Sequence, residues 1–248
     1  MDSFPPSRES SGTSEQLLGP GVPELVSCII PAYNAERWLG DALRSVLDQT
    51  YRPVEAIVVD DGSTDRTAEV VASFGDRVVG LGQPNAGPAV ALNRGIRASR
   101  GEFLAFLDAD DLWPPIKLEI QVARLREVPE LAAGYGLVQN FWVDDVKIEE
   151  ETLSGHRILK PIPGLVTGTL LARRSTFARM GLFEDRRHAY ALEWALRLRD
   201  GGVPHEVLEE VFLLRRYHES NMSRDGGANS REQVLDLLKR SLDARRGG

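Results

Sequence analysis

Gly101-Glu102-Phe103-Leu104-Ala105-Phe106-Leu107-Asp108-Ala109-Asp110-Asp111 is an apolar run that ends in three carboxylates. Successive side chains on a strand point to opposite faces of a sheet, so a short run that is apolar almost throughout predicts a strand buried on both faces. The acids then fall just beyond its carboxyl end. Upstream, similar runs alternate with helical periodicity: strand 26 to 31, helix 35 to 49, strand 54 to 60, helix 64 to 74, strand 77 to 81, helix 88 to 99 and strand 102 to 107. In the first helix Trp38, Leu39, Ala42, Leu43, Val46 and Leu47 form one stripe, with Glu36, Arg37, Asp41 and Arg44 elsewhere. This alternation predicts an α/β protein, a single Rossmann-like domain whose mostly parallel central sheet is flanked by helices.

Downstream of Asp111 the order changes. The pattern predicts a helix over 115 to 127, strands over 133 to 143 and 166 to 172, and helices over 174 to 180 and 190 to 200. A strand over 209 to 217 and an amphipathic helix over 229 to 243 follow, without internal repeats. In open sheets of this kind ligands bind beyond the carboxyl ends of the strands. Three polar clusters fall there: Pro31-Ala32-Tyr33-Asn34, Asp60-Asp61-Gly62-Ser63, and Asp108 to Asp111. The chain has neither a Gly-x-Gly-x-x-Gly turn after the first strand nor a Gly-Lys-Ser/Thr loop, so something other than a glycine-rich cradle must hold any phosphate.

With 248 residues, 42% of them hydrophobic, the chain can bury a substantial core. The formal net charge of -7 repels a nucleic acid backbone, and no nucleic acid partner is expected. A bound divalent cation would reverse that repulsion locally and admit a nucleotide diphosphate. Cys28, the single cysteine, lies in an apolar strand and reads as a buried, reduced thiol. Residues 1 to 24, rich in Ser, Pro, Gly and Glu, read as a mobile tail. With no basic-then-apolar leader and no transmembrane segment, a soluble, cytoplasmic protein is expected.

Each polar cluster is ambiguous alone. Asp108, Asp110 and Asp111 can cap the next helix, or they can offer hard oxygen ligands to Mg²⁺ or Mn²⁺. Asp61-Gly62-Ser63-Thr64 can be a turn and N-cap, with Asp65 adding charge at the helix N-terminus, or one of Asp60 and Asp61 can read the imide N–H of a uracil. Tyr33 offers that base an aromatic face, and Asn34 can cap the following helix.

In combination the clusters resemble the family-2 glycosyltransferases of the GT-A fold. The carriers are Val26 to Asn34, Val58-Val59-Asp60-Asp61-Gly62-Ser63-Thr64-Asp65, Asn85-Ala86-Gly87 with Asn93-Arg94-Gly95-Ile96, and Gly101 to Asp111. The resemblance implies a nucleotide-sugar-binding half over 25 to 130, an acceptor-binding and catalytic-base half over 131 to 225, and a C-terminal helix over 226 to 248. It further implies that Tyr33 and Asp61 hold the base, with Pro31 and Ala32 lining the same pocket. Asp108 would contact the ribose or a metal-bound water, with Ala109 beside it. Asp110 would ligate Mn²⁺ or Mg²⁺, and Asp111 would touch the donor sugar or support the ligands.

The second half resembles the family more loosely. Members place a catalytic acid just before an aromatic, and Ala191-Leu192-Glu193-Trp194 looks like that segment, making Glu193 the expected general base. Leu192 stands where the first acid of the usual pair would be, and Glu replaces Asp at the second. Arg215-Arg216-Tyr217-His218-Glu219-Ser220-Asn221 resembles the family's arginine-and-histidine segment, with Arg215 or Arg216 on phosphate and His218 as an auxiliary metal ligand.

The expected activity is inverting sugar transfer from a nucleotide sugar, most naturally a UDP-sugar, to a glycan, lipid-linked or peptide hydroxyl. Gly134 to Asp145 and Pro161 to Thr169 are the stretches expected to face the acceptor. The rivals are a nucleotidyltransferase, which would carry a basic phosphate loop near the first strand, and a non-catalytic sugar-nucleotide-binding scaffold. Arg231, Lys239, Arg240, Arg245 and Arg246 on the final helix suit a solvated face or a homodimer contact better than a membrane.

Overall fold

The computed structural model describes residues 18–143, 159–219, 221, 233–237 and 239. Strands β1 (Val22–Ala32), β2 (Val54–Asp60), β3 (Val78–Gly82) and β4 (Gly101–Phe106) alternate with helices α1 (Leu39–Leu47), α2 (Thr67–Ala72) and α3 (Pro88–Ala98). Helix α4 (Lys117–Glu127) leads to β5 (Ala133–Trp142), β6 (Ile162–Gly164) and β7 (Leu171–Arg173). Helices α5 (Arg174–Met180) and α6 (Tyr190–Asp200) and the long strand β8 (His205–Tyr217) follow.

One sheet runs in the order β3-β2-β1-β4-β7-β5-β6, with β8 on β5. Its first four strands are parallel, while β7 is antiparallel to both β4 and β5, and β8 pairs parallel to β5. The predicted α/β sheet is therefore parallel through its first half and mixed in its second. Residues on β1 alternate between two cores. Val26, Cys28 and Ile30 pack with Leu39, Leu43 and Val46 of α1 and Leu118 and Val122 of α4, whereas Ile29 packs with Leu92 and Ile96 of α3. Phe177 of α5 and Trp194 of α6 stack face to face at 4.3 Å in the second core.

Several element bounds differ from expectation. β1 begins at Val22 rather than Val26, Leu18 is buried, and Arg174 Nε donates to the Gly19 carbonyl at 3.0 Å. Residues 18 to 24, expected in the tail, thus run along the domain, held by backbone pairing such as the Val22 N–H on the Arg100 carbonyl at 2.7 Å. The strand expected over 166 to 172 is split into a 3-10 turn, Thr167–Thr169, and the short β7. Of the final helix, residues 233–237 and 239 are helical and the rest lies outside the described residues. No helix among the described residues is long and apolar enough to cross a membrane.

Two buried groups set tolerances. A Cβ on Gly95 of α3 would fall inside the Ile29 side chain, so the glycine lets helix and sheet approach. Gly95→Ala is expected to cost about 1–3 kcal/mol through overpacking, measurable by denaturant titration. Lys117 is fully buried, its ammonium 4.2 Å from the Trp113 ring and 2.6 Å from Gln121 Oε1, and burial lowers its pKa from 10.5 to about 7. Between those values the unfolded chain holds a proton that the native state has released, so this site makes stability rise with pH. The difference in urea midpoint between pH 7.5 and pH 9.5 is expected to shrink in Lys117→Met. An unchanged difference would refute the assignment.

Candidate functional site

The carboxyl ends of β1 and β4 open onto a cleft of about 790 Å³. One wall is the loop from Pro31 to Trp38, the floor is Asp108 to Asp111, and the far wall combines Leu165 to Thr167 with Arg187 to Leu192. Arg215, His218 and Asn221, at and beyond the end of β8, close the site.

The acid cluster is held from a strand more than a hundred residues away. Leu112 and Leu214 exchange backbone hydrogen bonds at 3.0 and 2.9 Å, which brings the end of β8 onto the loop after β4. Arg216 then donates its backbone N–H to Asp111 Oδ1 at 2.8 Å and its Nε to the Asp110 carbonyl at 2.9 Å. Its guanidinium lies 4.4 Å from the Trp38 ring and pairs with Asp41 at 3.2 Å. Burial, with Asp110 adding repulsion, raises Asp108 to about 6 despite the nearby positive charge of Arg215. Burial and the charges of Asp110 and Asp108 push Asp111 up as well. Carboxylates held in this way favour a cation among them.

The donor set fits a hard divalent ion. His218 Nε2 and Asp110 Oδ2 stand 3.1 Å apart, and cis ligands in octahedral Mg²⁺ or Mn²⁺ coordination with bonds of about 2.1 Å stand about 3 Å apart. Asn221 steadies both: its amide is 3.3 Å from Asp110 Oδ2 and 3.1 Å from His218 Nε2, and its Oδ1 accepts the His218 N–H at 2.6 Å. Among the described residues no group of three His, Cys, Asp or Glu side chains forms a complete metal cage. An ion held there would draw its remaining ligands from water and diphosphate oxygens.

The structure brings Pro31, Tyr33, Asp108, Ala109, Asp110, Asp111, Arg215 and His218 to the cleft, and it leaves three expected residues outside. Ala32 is buried, its carbonyl accepting the Asp61 N–H at 2.8 Å. Asp61 is buried too. Its Oδ1 accepts from Gln83 Nε2 at 2.7 Å and the Ala86 N–H at 2.9 Å, and its Oδ2 accepts from the Gly87 N–H at 2.8 Å. That carboxylate organises the loop before α3, with Oδ2 carrying a single hydrogen bond. Asn34 does not cap α1. Its Oδ1 accepts the Thr64 N–H at 2.8 Å and its own N–H meets Ser63 Oγ at 2.9 Å, tying the first two loops together.

Glu193 requires the largest correction. Its carboxylate forms a two-pronged pair with Arg197, at 3.0 Å from Nε and 2.6 Å from Nη2, and it does not line the cleft. Arg197 also donates to the Met180 and Leu182 carbonyls at 2.7 and 3.0 Å. The pair is the i, i+4 contact of one helix and fixes the turn after α5. This geometry does not support the expected role as general base, since a base must reach the proton it removes. The cleft also gathers Asn221, Tyr190 and His188, which no motif in the sequence singles out, and the fold makes Arg216 an anchor of the acid loop.

The topology and the acid cluster beyond β4 define a GT-A-type fold. Residues 27–186 match the family model described as Glycosyl transferase family 2, and the chain belongs to that family. An uncharacterized glycosyltransferase of Rickettsia typhi is 34% identical over 79% of this chain and 65% of its own length. The chain thus spans just under two thirds of that relative, and 46% of an uncharacterized glycosyltransferase from Nostoc. The UDP-Glc:α-D-GlcNAc-diphosphoundecaprenol β-1,3-glucosyltransferase of Escherichia coli is 34% identical over 80% of this chain and 79% of its own. Among solved structures, S. aureus TarS 1-349 with UDP-GlcNAc superposes with TM-score 0.65 at 19% identity, covering 81% of this chain and 61% of that one. The glucosyl-3-phosphoglycerate synthase of Mycobacterium tuberculosis, bound to Mn²⁺, UDP and glucosyl-3-phosphoglycerate, gives 0.60 at 21% identity over 95% of this chain and 86% of that one. At such identities the likeness is one of fold.

Glu193→Gln is expected to lose about 1–3 kcal/mol of stability by weakening a charge-assisted pair, and to leave nucleotide affinity unchanged. Denaturant titration and calorimetry with UDP would check both halves.

Proposed function

We propose that the chain transfers a sugar from a UDP-sugar to an acceptor hydroxyl with inversion, a divalent ion assisting departure of the diphosphate. The observation that carries this reading is the 3.1 Å pairing of Asp110 Oδ2 with His218 Nε2 on the cleft floor, which matches two adjacent ligand positions of one octahedral ion. Such an ion would neutralise charge gathering on the leaving diphosphate.

The chain's own residues divide the remaining work. Tyr33, exposed at the cleft rim, gives the base an aromatic face. Asp60 Oδ1 is taken by the Ser63 N–H at 2.9 Å, while its second oxygen makes no hydrogen bond among the described residues. Like Asp61, Asp60 is buried and does not line the cleft, so each offers a uracil imide only a carboxylate oxygen with a spare lone pair, Asp60 through its unbonded oxygen and Asp61 through Oδ2 beside its single bond from Gly87. Arg215, whose charge acts on both Asp108 and Asp111, faces the cleft where phosphate would lie. Asp108 would serve the ribose side, and Asp111, bonded to the Arg216 N–H, would support the ligand loop.

The acceptor class we favour is a sugar carried on a lipid diphosphate. The support is the Escherichia coli relative, whose name specifies such an acceptor and which aligns over most of both chains. Asp110→Asn is expected to weaken Mn²⁺-dependent UDP binding at least tenfold in calorimetry and to abolish UDP release from a panel of UDP-sugars supplied with N-acetylglucosaminyl-diphospho-lipid. Tight UDP binding without UDP release by the wild-type chain would favour the scaffold reading.

A further inference from the structure

We infer that His188, on the cleft wall just ahead of α6, takes the proton from the attacking hydroxyl. This rests on the transferase reading above. Inverting attack needs a group that removes the acceptor's proton, and the carboxylate at the expected place, Glu193, is committed to Arg197 outside the cleft.

The other acids lining the cleft are committed as well. Glu36 accepts from the Arg66 backbone and Nε at 3.0 and 3.1 Å, and Asp65 accepts from the Thr67 N–H at 2.9 Å and the Glu36 N–H at 3.0 Å. Both stand on the wall formed by the loops after β1 and β2. Asp108, Asp110 and Asp111 form the cation floor. The segment facing them reads Arg187, His188, Ala189, Tyr190, Ala191 and Leu192, all on the cleft, with no carboxylate. Tyr190 is a phenol that hydrogen-bonds Thr167, and burial pushes its pKa far up, so it does not serve as a base.

His188 remains. It is half-buried and, among the described residues, makes no hydrogen bond, so both imidazole nitrogens are uncommitted. Imidazole is the side chain suited to taking up a proton near neutral pH. The backbone has been bent to put it there. Ala189 sits in the left-handed region at φ 60° and ψ 9°, a conformation disfavoured for a residue with a Cβ, and it separates His188 from the helix beginning at Tyr190. The approach to that bend is rigid: Asn93 exchanges two hydrogen bonds with the Phe183 backbone at 2.8 and 3.0 Å, and Arg197 holds Met180 and Leu182.

In the step, an oxygen lone pair of the acceptor forms the bond to the anomeric carbon. The bond from that carbon to the diphosphate oxygen breaks, and its electron pair leaves with UDP. The acceptor's proton passes to an imidazole nitrogen of His188 and from the imidazolium to solvent.

The test uses the full chain with Mn²⁺, a panel of UDP-sugars and N-acetylglucosaminyl-diphospho-lipid, and reads UDP release alongside UDP affinity. His188→Ala is expected to lower kcat at least a hundredfold with UDP affinity within threefold of wild type, and added imidazole is expected to restore at least a tenth of the lost rate. Glu193→Gln is expected to keep kcat within tenfold. A His188→Ala chain as fast as wild type, or a slow one that imidazole does not rescue, overturns the assignment. A wild-type chain that binds UDP with Mn²⁺ and turns over no donor, or that fails to bind UDP at all, instead overturns the transferase reading.

Discussion

Three carboxylates at the buried end of β4 are the constraint around which the rest is arranged. Confined within four residues, they repel one another, and burial removes the water that would otherwise screen them. Arg216 relieves part of this. Its backbone N–H fixes Asp111 and its Nε holds the Asp110 carbonyl, while its guanidinium is packed between Trp38 and Phe141. That leaves Asp110 as the carboxylate aimed into the cleft, with His218 and Asn221 beside it. The remaining negative charge is what a divalent ion and its diphosphate would meet.

The sheet topology makes this possible. A parallel half alone would leave the acids at the end of β4 facing solvent. The antiparallel β7 turns the chain back beside β4, and β5 then accepts β8 in a parallel pairing that shifts register twice before reaching Arg215 and Arg216. The bridge between Leu112 and Leu214 sets how far β8 overlaps the acid loop. Two cationic residues and a histidine are thereby delivered to acids more than a hundred positions earlier.

Much of the first half was legible in the sequence because its determinants are local. Apolar runs of four or five residues define β2 and β4, and Pro88 with Gly87 marks the start of α3. The Asn93 to Ile96 motif was legible as well, although its contacts are remote, with Gly95 against Ile29 and Asn93 on the Phe183 backbone. What failed was orientation. Asp60 and Asp61 are adjacent and both buried, and only the fold shows that Asp61 ties Gln83, Ala86 and Gly87 together while Asp60 holds the Ser63 N–H. The orientation of Glu193, paired with Arg197 off the cleft, was hidden for the same reason. A helix has one face to the cleft and one to its neighbours, and an acid four residues before an arginine fits a structural pair as well as a catalytic one.

The unequal clarity of the two halves has a physical basis. Donor contacts come from strand ends and the turns just beyond them, where backbone hydrogen bonds set position and few residue types fit. The acceptor wall is built from Leu165 to Thr167 and Arg187 to Leu192, segments that belong to a 3-10 turn, a connecting loop and a helix end. The turn leading into Arg187 to Leu192 is held by remote clamps, Asn93 on Phe183 and Arg197 on Met180 and Leu182, so local sequence alone does not set that wall. Side chains on such a wall can change without disturbing the sheet, so the acceptor and the group that takes its proton are free to differ among proteins that share one donor site. In this chain that freedom shows in the segment His188-Ala189-Tyr190-Ala191-Leu192, where the fold supplies an imidazole and a phenol to the cleft and turns Glu193 away.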